Sequence, residues 1–143
     1  MAEVEMDVAK TVKCLNKALA LQLRSVAEYT LAGGSAKGVE FTGLTDTYTE
    51  WALADLEDAG ILVEKIVSIG GKPATKPAEP GWNADPVKMA KRLIESEEET
   101  IEALRESIAP AGDFGPGEAL EHTMEHMIMR KQLQVDRLRR AIA

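Results

Sequence analysis

The chain has 143 residues and a formal net charge of −7, so it can bury one sizeable core but is too acidic to track a phosphate backbone by bulk electrostatics. Hydrophobic residues make up 45% but aromatic ones only 4%, which makes the expected core aliphatic. A single cysteine, Cys14, excludes an intrachain disulfide and points to a reducing, cytoplasmic setting. The opening MAEVEMDVAK is acidic and lacks an apolar stretch, so it does not read as a secretory leader, and no apolar run approaches the ~20 residues of a membrane span.

Taken in chain order, four long helices are predicted, with no convincing strand and no internal repeat. The first covers about residues 7–32 and ends at Gly33 and Gly34. Its apolar line is Val8, Val12, Leu15, Leu19, Val26 and Tyr29, at the three-and-four spacing of a buried face. The second covers about 44–69, carries Leu44, Tyr48, Trp51, Ala59, Leu62, Ile66 and Ile69, and stops at Gly70 and Gly71. The third covers about 85–108, with Asp85 as N-cap and Pro86 at the first helical position. Its line is Ala90, Leu93, Ile94, Ile101, Leu104 and Ile108. The fourth covers about 117–142, and its apolar face gathers Leu120, Met124, Met127, Ile128, Val135, Leu138 and Ile142. Arg137, Arg139 and Arg140 suit the dipole at its C-terminal end.

The connections set the topology. Short first and third loops make their flanking helices antiparallel neighbours. The middle connection, residues 70–84, holds Pro73, Pro77 and Pro80 and resists helix. Fifteen extended residues reach about 50 Å, more than the roughly 36 Å of a 24-residue helix. The loop can therefore cross the whole bundle and start the third helix at the far end. The expected architecture is all-α, a single four-helix bundle over residues 1–143 with one long crossover.

Chemistry is sought where polar residues interrupt apolar lines. Gln22 sits between Leu19 and Val26, Asp55 between Trp51 and Ala59 with Asp58 one turn on, and Glu97 between Ile94 and Ile101. Three breaks at similar depth suggest one shared polar site in the core, where carboxylates must be paired, protonated or bound to metal. The competing reading is that these residues face water, as most of the run Glu95, Glu97, Glu98 and Glu99 is expected to do. On the fourth helix, Glu121, His122, Glu125 and His126 form an E-H-x-x-E-H block holding both histidines of the chain. A four-residue spacing places His122 and His126 on one face, able to chelate a transition metal. They lie off the most apolar face, so a surface pair is the alternative. Cys14 reads as a packed thiol, and Tyr48 and Trp51 as core aromatics that could relay electrons only if they lie beside the site.

The stretches LNKALALQLRSVAEY (Leu15–Tyr29), ADLEDAGILVEKIVSIGGKP (Ala54–Pro73) and DPVKMAKRLIESEEETIEALRESI (Asp85–Ile108) resemble the first three helices of the bacterioferritin branch of the ferritin-like superfamily. The resemblance implies a ferritin-like bundle with a di-iron site. That site takes a Glu from helix one, Glu-x-x-His from helix two, a Glu from helix three and Glu-x-x-His from helix four. Here the helix-three Glu is retained as Glu97, the helix-two pair becomes Asp55 and Asp58, and the helix-one Glu becomes Gln22. No E-x-x-H occurs, and the haem-ligating Met position is Leu56, so no haem is expected.

Two functions follow from this. One is an iron-binding protein that oxidises or stores iron through a non-standard di-metal site of Asp55, Asp58, Glu97, His122, Glu125 and His126. The other is a metal-free ferritin-like scaffold acting through self-assembly or partner binding. A homo-oligomer is implied in both, with no nucleic acid or membrane partner.

Overall fold

The computed structural model describes residues 4–143. In chain order the helices are α1 (Val8–Ser35), α2 (Val39–Thr42), α3 (Thr45–Ser68), α4 (Pro86–Glu106), α5 (Ile108–Ala111) and α6 (Pro116–Ala141). The four long ones, α1, α3, α4 and α6, form the bundle, α2 and α5 are single turns within the two short connections, and no strand occurs among the described residues. The all-α four-helix architecture read from the sequence is the one observed. No described helix is long and apolar enough to cross a membrane.

Capping accounts for two starts. The Asp7 side chain accepts from the Lys10 amide, and the Asp85 side chain accepts from those of Val87 and Lys88, with Pro86 following. One end differs from expectation: α1 continues through Gly33 and Gly34 to Ser35. Gly33 is buried, and a Cβ there would already touch the Tyr48 Cβ at 3.4 Å, so close approach to α3 offsets the low helix propensity of glycine.

Residues 69–85 run back along α1, held by a ladder of polar contacts. The Asn16 amide nitrogen donates to the Lys72 carbonyl at 2.9 Å, and its oxygen accepts from the Ala74 amide at 2.7 Å. The Ala78 amide donates to the Ala20 carbonyl at 3.0 Å, that of Gly81 to Glu28 Oε2 at 2.8 Å, and the Trp82 indole to Ser35 Oγ at 3.0 Å. These contacts climb from the start of α1 to its end, so the connection spans the bundle and α4 starts beside the end of α1.

The apolar core falls into two clusters. One includes Leu15, Leu19, Leu62, Ile66, Leu104, Leu120 and Met124; the other includes Tyr29, Phe41, Tyr48, Met89, Leu93, Val135 and Leu138. Between them every long helix contributes buried polar side chains: Gln22 and Ser25, Asp55, Glu97, and Lys131 and Gln134. The bundle is thus layered, apolar–polar–apolar along its axis.

Asn16→Ala removes two of these crossover contacts, those to Lys72 and Ala74. It should lower stability by about 1–2 kcal/mol and speed hydrogen exchange of the Ala74 amide, while the Leu62 amide in α3 stays protected; unchanged Ala74 exchange would contradict the clip.

Candidate functional site

The polar layer is built from one or two turns of each long helix. On α1, Gln22, Ser25 and Tyr29 recur at helical spacing and share the inward face, all at 0–1% exposure. The Gln22 amide nitrogen donates to the Asp55 backbone carbonyl at 3.0 Å, and Ser25 Oγ donates to Glu97 Oε1 at 3.0 Å. α3 supplies Asp55 and Asp58, α4 supplies Glu97, and α6 supplies Arg130, Lys131 and Gln134.

At the centre lies the Lys131 ammonium, fully buried. Its Nζ stands 3.0 Å from Glu97 Oε1 and 3.5 Å from Asp55 Oδ1, bridging carboxylates from two other helices. Arg130 reaches in from the edge of the bundle, donating from Nη2 to Asp55 Oδ1 at 2.9 Å and to Asp58 Oδ2. Gln134 completes the set: its amide nitrogen suits Glu97 Oε2 at 2.6 Å and its oxygen accepts from Arg130 Nη1 at 3.3 Å.

Three carboxyl groups therefore meet two cations. Burial raises the Glu97 carboxyl above the usual carboxylate range, and the nearby Asp55 charge raises it further, while Lys131 and Ser25 pull it back. For Arg130, burial acts to lower the pKa, but the Asp58 hydrogen bond and the charges of Asp55 and Asp58 outweigh it, and the net direction is upward. Burial pushes the Tyr29 phenol well above its ordinary range, reinforced by Glu97 and Asp55. The nearby Tyr48 phenol is pushed up to about 12, again by burial.

The structure brings Asp55, Asp58 and Glu97 to one interior site, with Gln22 beside them, as the interrupted apolar lines suggest. It does not bring His122, Glu125 or His126 there. All three are exposed on α6: His122, its side chain 69% exposed, has Glu118 and Glu125 at 3.9–4.0 Å, while His126 lines an open depression at the α3–α6 seam with Asp58 and Arg130, outside the buried centre. The reason is rotational register. The inward line of α6 is Leu120, Met124, Met127, Lys131, Val135 and Leu138, from which the two histidines are turned away.

The residues missed from sequence are Lys131, Gln134 and Arg130. Their signal was available, because Lys131 and Gln134 interrupt the apolar line of α6 at the depth where Asp55 and Glu97 interrupt theirs. Lys131-x-x-Gln134 also has the three-residue spacing of the Glu-x-x-His expected on the last helix, with a cation in place of the carboxylate and an amide in place of the imidazole.

These residues do not fit a di-iron centre. Asp55 Oδ1, Asp58 Oδ2 and both Glu97 oxygens face Lys131, Arg130, Ser25 or Gln134. A divalent ion about 4 Å from the ammonium would meet a repulsion of about 8 kcal/mol at an effective dielectric of ~20. No cluster of three or more His, Cys, Asp or Glu side chains suited to a metal occurs among the described residues.

A second buried ion cluster lies nearby. Glu28, 0% exposed, pairs with Arg92 at 2.8 Å and lies 3.8 Å from Arg24, whose Nη2 also donates to Glu99 at 3.1 Å. Because Glu28 also receives the Gly81 amide, this cluster joins α1, α4 and the crossover.

Residues 12–141 match the family model described as Ferritin-like domain. No curated protein matches the sequence. A crystal structure of ferritin-like, diiron-carboxylate proteins from Bacillus anthracis strain Ames superposes with a TM-score of 0.90 at 24% identity, covering 98% of this chain and 100% of that one.

Lys131→Met should destabilise the fold by about 3–5 kcal/mol, because it leaves buried carboxylates without their cation. The loss should be partly recovered in Lys131→Met with Glu97→Gln. In the single variant Glu97 is held protonated more strongly in the folded than in the unfolded chain. Its stability should therefore rise as pH falls from neutral towards the ordinary carboxylate range, and drop as pH rises. Denaturant midpoints measured across pH check both statements.

Proposed function

Because the chain belongs to the ferritin-like domain family, we propose that it is a ferritin-like subunit whose bundle centre is held by an internal ion-pair network in place of a metal pair. It acts through association, with copies of itself or with other proteins, and not by oxidising iron in that centre. The observation that carries this reading is Lys131 Nζ lying between Glu97 and Asp55. An ammonium supplies the positive charge that the carboxylates need, so the layer is stable without a bound ion.

Association is supported by the outer faces of α1 and α3. Leu31 is 43% exposed, and Leu53, Leu56 and Val67 are 62%, 52% and 56% exposed, with Gly60 open beside them. Several large apolar side chains on neighbouring helices are more than scattered surface exposure requires. A reducing compartment such as the cytoplasm suits the free thiol of Cys14.

One observation favours iron binding in the core as a second reading. Asp55 Oδ2 and Gln22 Oε1 are buried without a hydrogen-bond partner, so two oxygens remain open to a cation. The Bacillus anthracis structure is described as a diiron-carboxylate protein, and the same carboxylates would serve iron binding or storage here only if Lys131 withdrew.

Anaerobic Fe(II) titration followed by air separates the two. The native chain should bind no stoichiometric iron and oxidise none faster than buffer does. Lys131→Glu with Gln134→His, which restores the Glu-x-x-His spacing, should gain iron binding. About two irons bound per native chain, with oxidation on admitting air, would overturn the scaffold reading. In parallel, Leu53→Glu with Leu56→Glu should reduce the molar mass seen by light scattering; an unchanged mass would remove this face from the assembly.

A further inference from the structure

The seam between α3 and α6 is the most loosely packed edge of the bundle, and two depressions run end to end along it. One, of about 480 Å³, is floored by Ile61, Met127, Met129 and Leu133. The other, of about 390 Å³, is lined by Trp51, Ala54 and Leu133, with Arg137 and Arg140 beside them. Arg130 and Leu133 belong to both, so the two form one groove. From Met127 to Arg140 it follows α6 for about 20 Å at the helical rise. Two of its apolar members are open to water, Met129 at 63% and Leu133 at 68% exposure, while Met127 at its base is buried.

The charges along the groove are unevenly placed. At the Met129 end Arg130 is committed to Asp55 and Asp58, which pairs the lining guanidinium with the lining carboxylate, and Thr123 and His126 are the other polar side chains there. Arg139, on the next face, pairs with Glu98 at 3.0 Å. Arg137 and Arg140 carry no ion-pair partner among the described residues, and Glu50 is the only acid lining their end. In a chain of net charge −7, this is a local excess of positive charge at one end of an apolar trough.

We propose that the α3–α6 groove binds a single-chain anionic amphiphile of the fatty-acid class. Its carboxylate sits on Arg137 and Arg140, and its alkyl chain lies over Leu133, Met129 and Ile61. Guanidinium groups suit a carboxylate through paired, charge-assisted hydrogen bonds. The combined volume is that of a small-ligand site. The gradient from cationic to apolar matches a ligand with one head and one tail, whereas an acidic amphipathic helix would call for cations along the whole trough. The proposal does not depend on the assembly reading, which uses the opposite edge of α3.

Trp51 lines the groove and provides the readout. The other tryptophan, Trp82, is removed by Trp82→Phe, leaving Trp51 as the sole emitter. Titration of this otherwise full chain with dodecanoate, below its micelle concentration, should give a saturable change in emission. Arg137→Gln with Arg140→Gln should weaken binding at least about tenfold, and Leu133→Asp should abolish it, both with unchanged helical circular dichroism. Dodecyl maltoside, with the same tail and a neutral head, should bind at least about tenfold more weakly than dodecanoate. The proposal is overturned by the absence of saturation, by equal affinity of the arginine variant, or by equal affinity for the neutral amphiphile. Saturation by an acidic amphipathic peptide with no response to dodecanoate would overturn it in favour of a protein partner.

Discussion

A lysine ammonium enclosed at the centre of the bundle is the constraint on which the rest of the structure depends. Lys131 has no exposure to water, and removing an ion from water costs several kcal/mol unless opposite charges and hydrogen bonds surround it. Asp55 and Glu97 provide those charges from two other helices. Ser25 and Arg130 share the two oxygens that Lys131 contacts, Gln134 satisfies the second Glu97 oxygen, and Asp55 Oδ2 alone stays unpartnered among these carboxylate oxygens of Asp55 and Glu97. Each member makes sense only with the others in place. The network also fixes register, because sliding α6 by one turn, about 5.4 Å, would separate both cations from their carboxylates and strand all of them in an apolar interior.

The polar layer explains the division of the apolar core. One cluster lies towards the start of α1 and the other towards its end, and the side chains between them are the charged ones. On one side the layer is closed by α1, against which the crossover is tied through Asn16, Ala20, Glu28 and Ser35. On the other side the α3–α6 seam is loose, and Arg130 spans it. Arg130 therefore belongs to two places at once: its guanidinium neutralises Asp55 and Asp58, while its stem lines the groove outside. The interior chemistry of the bundle and the groove outside meet at this side chain, with Asp58 and Gln134 also at the boundary.

Ferritin-like membership and the filled centre bear on function together. Carboxylates from α3 and α4, those of Asp55, Asp58 and Glu97, converge on the bundle centre, and the charge that compensates them is covalently part of the chain. A cation supplied by the chain is always present and needs no loading. That is the physical basis for reading the bundle as a scaffold whose stability does not depend on metal supply.

Much of this was legible in the linear chain because local rules dominate it. Apolar spacing, the Asp85–Pro86 start and the proline-bearing connection specify four helices and a crossover with little help from tertiary contacts. The convergence of Gln22, Asp55 and Glu97 was legible too, since each breaks an otherwise apolar line. The rotation of α6 was not. Its sequence offers two polar clusters, one around His122 and His126 and one around Arg130, Lys131 and Gln134, and periodicity over a long helix drifts enough to leave either facing inward. Packing decided between them, because only the second brings cations to carboxylates already committed to the core. A carboxylate announces by its position that it needs a partner, but the identity of that partner is a property of the assembled helices.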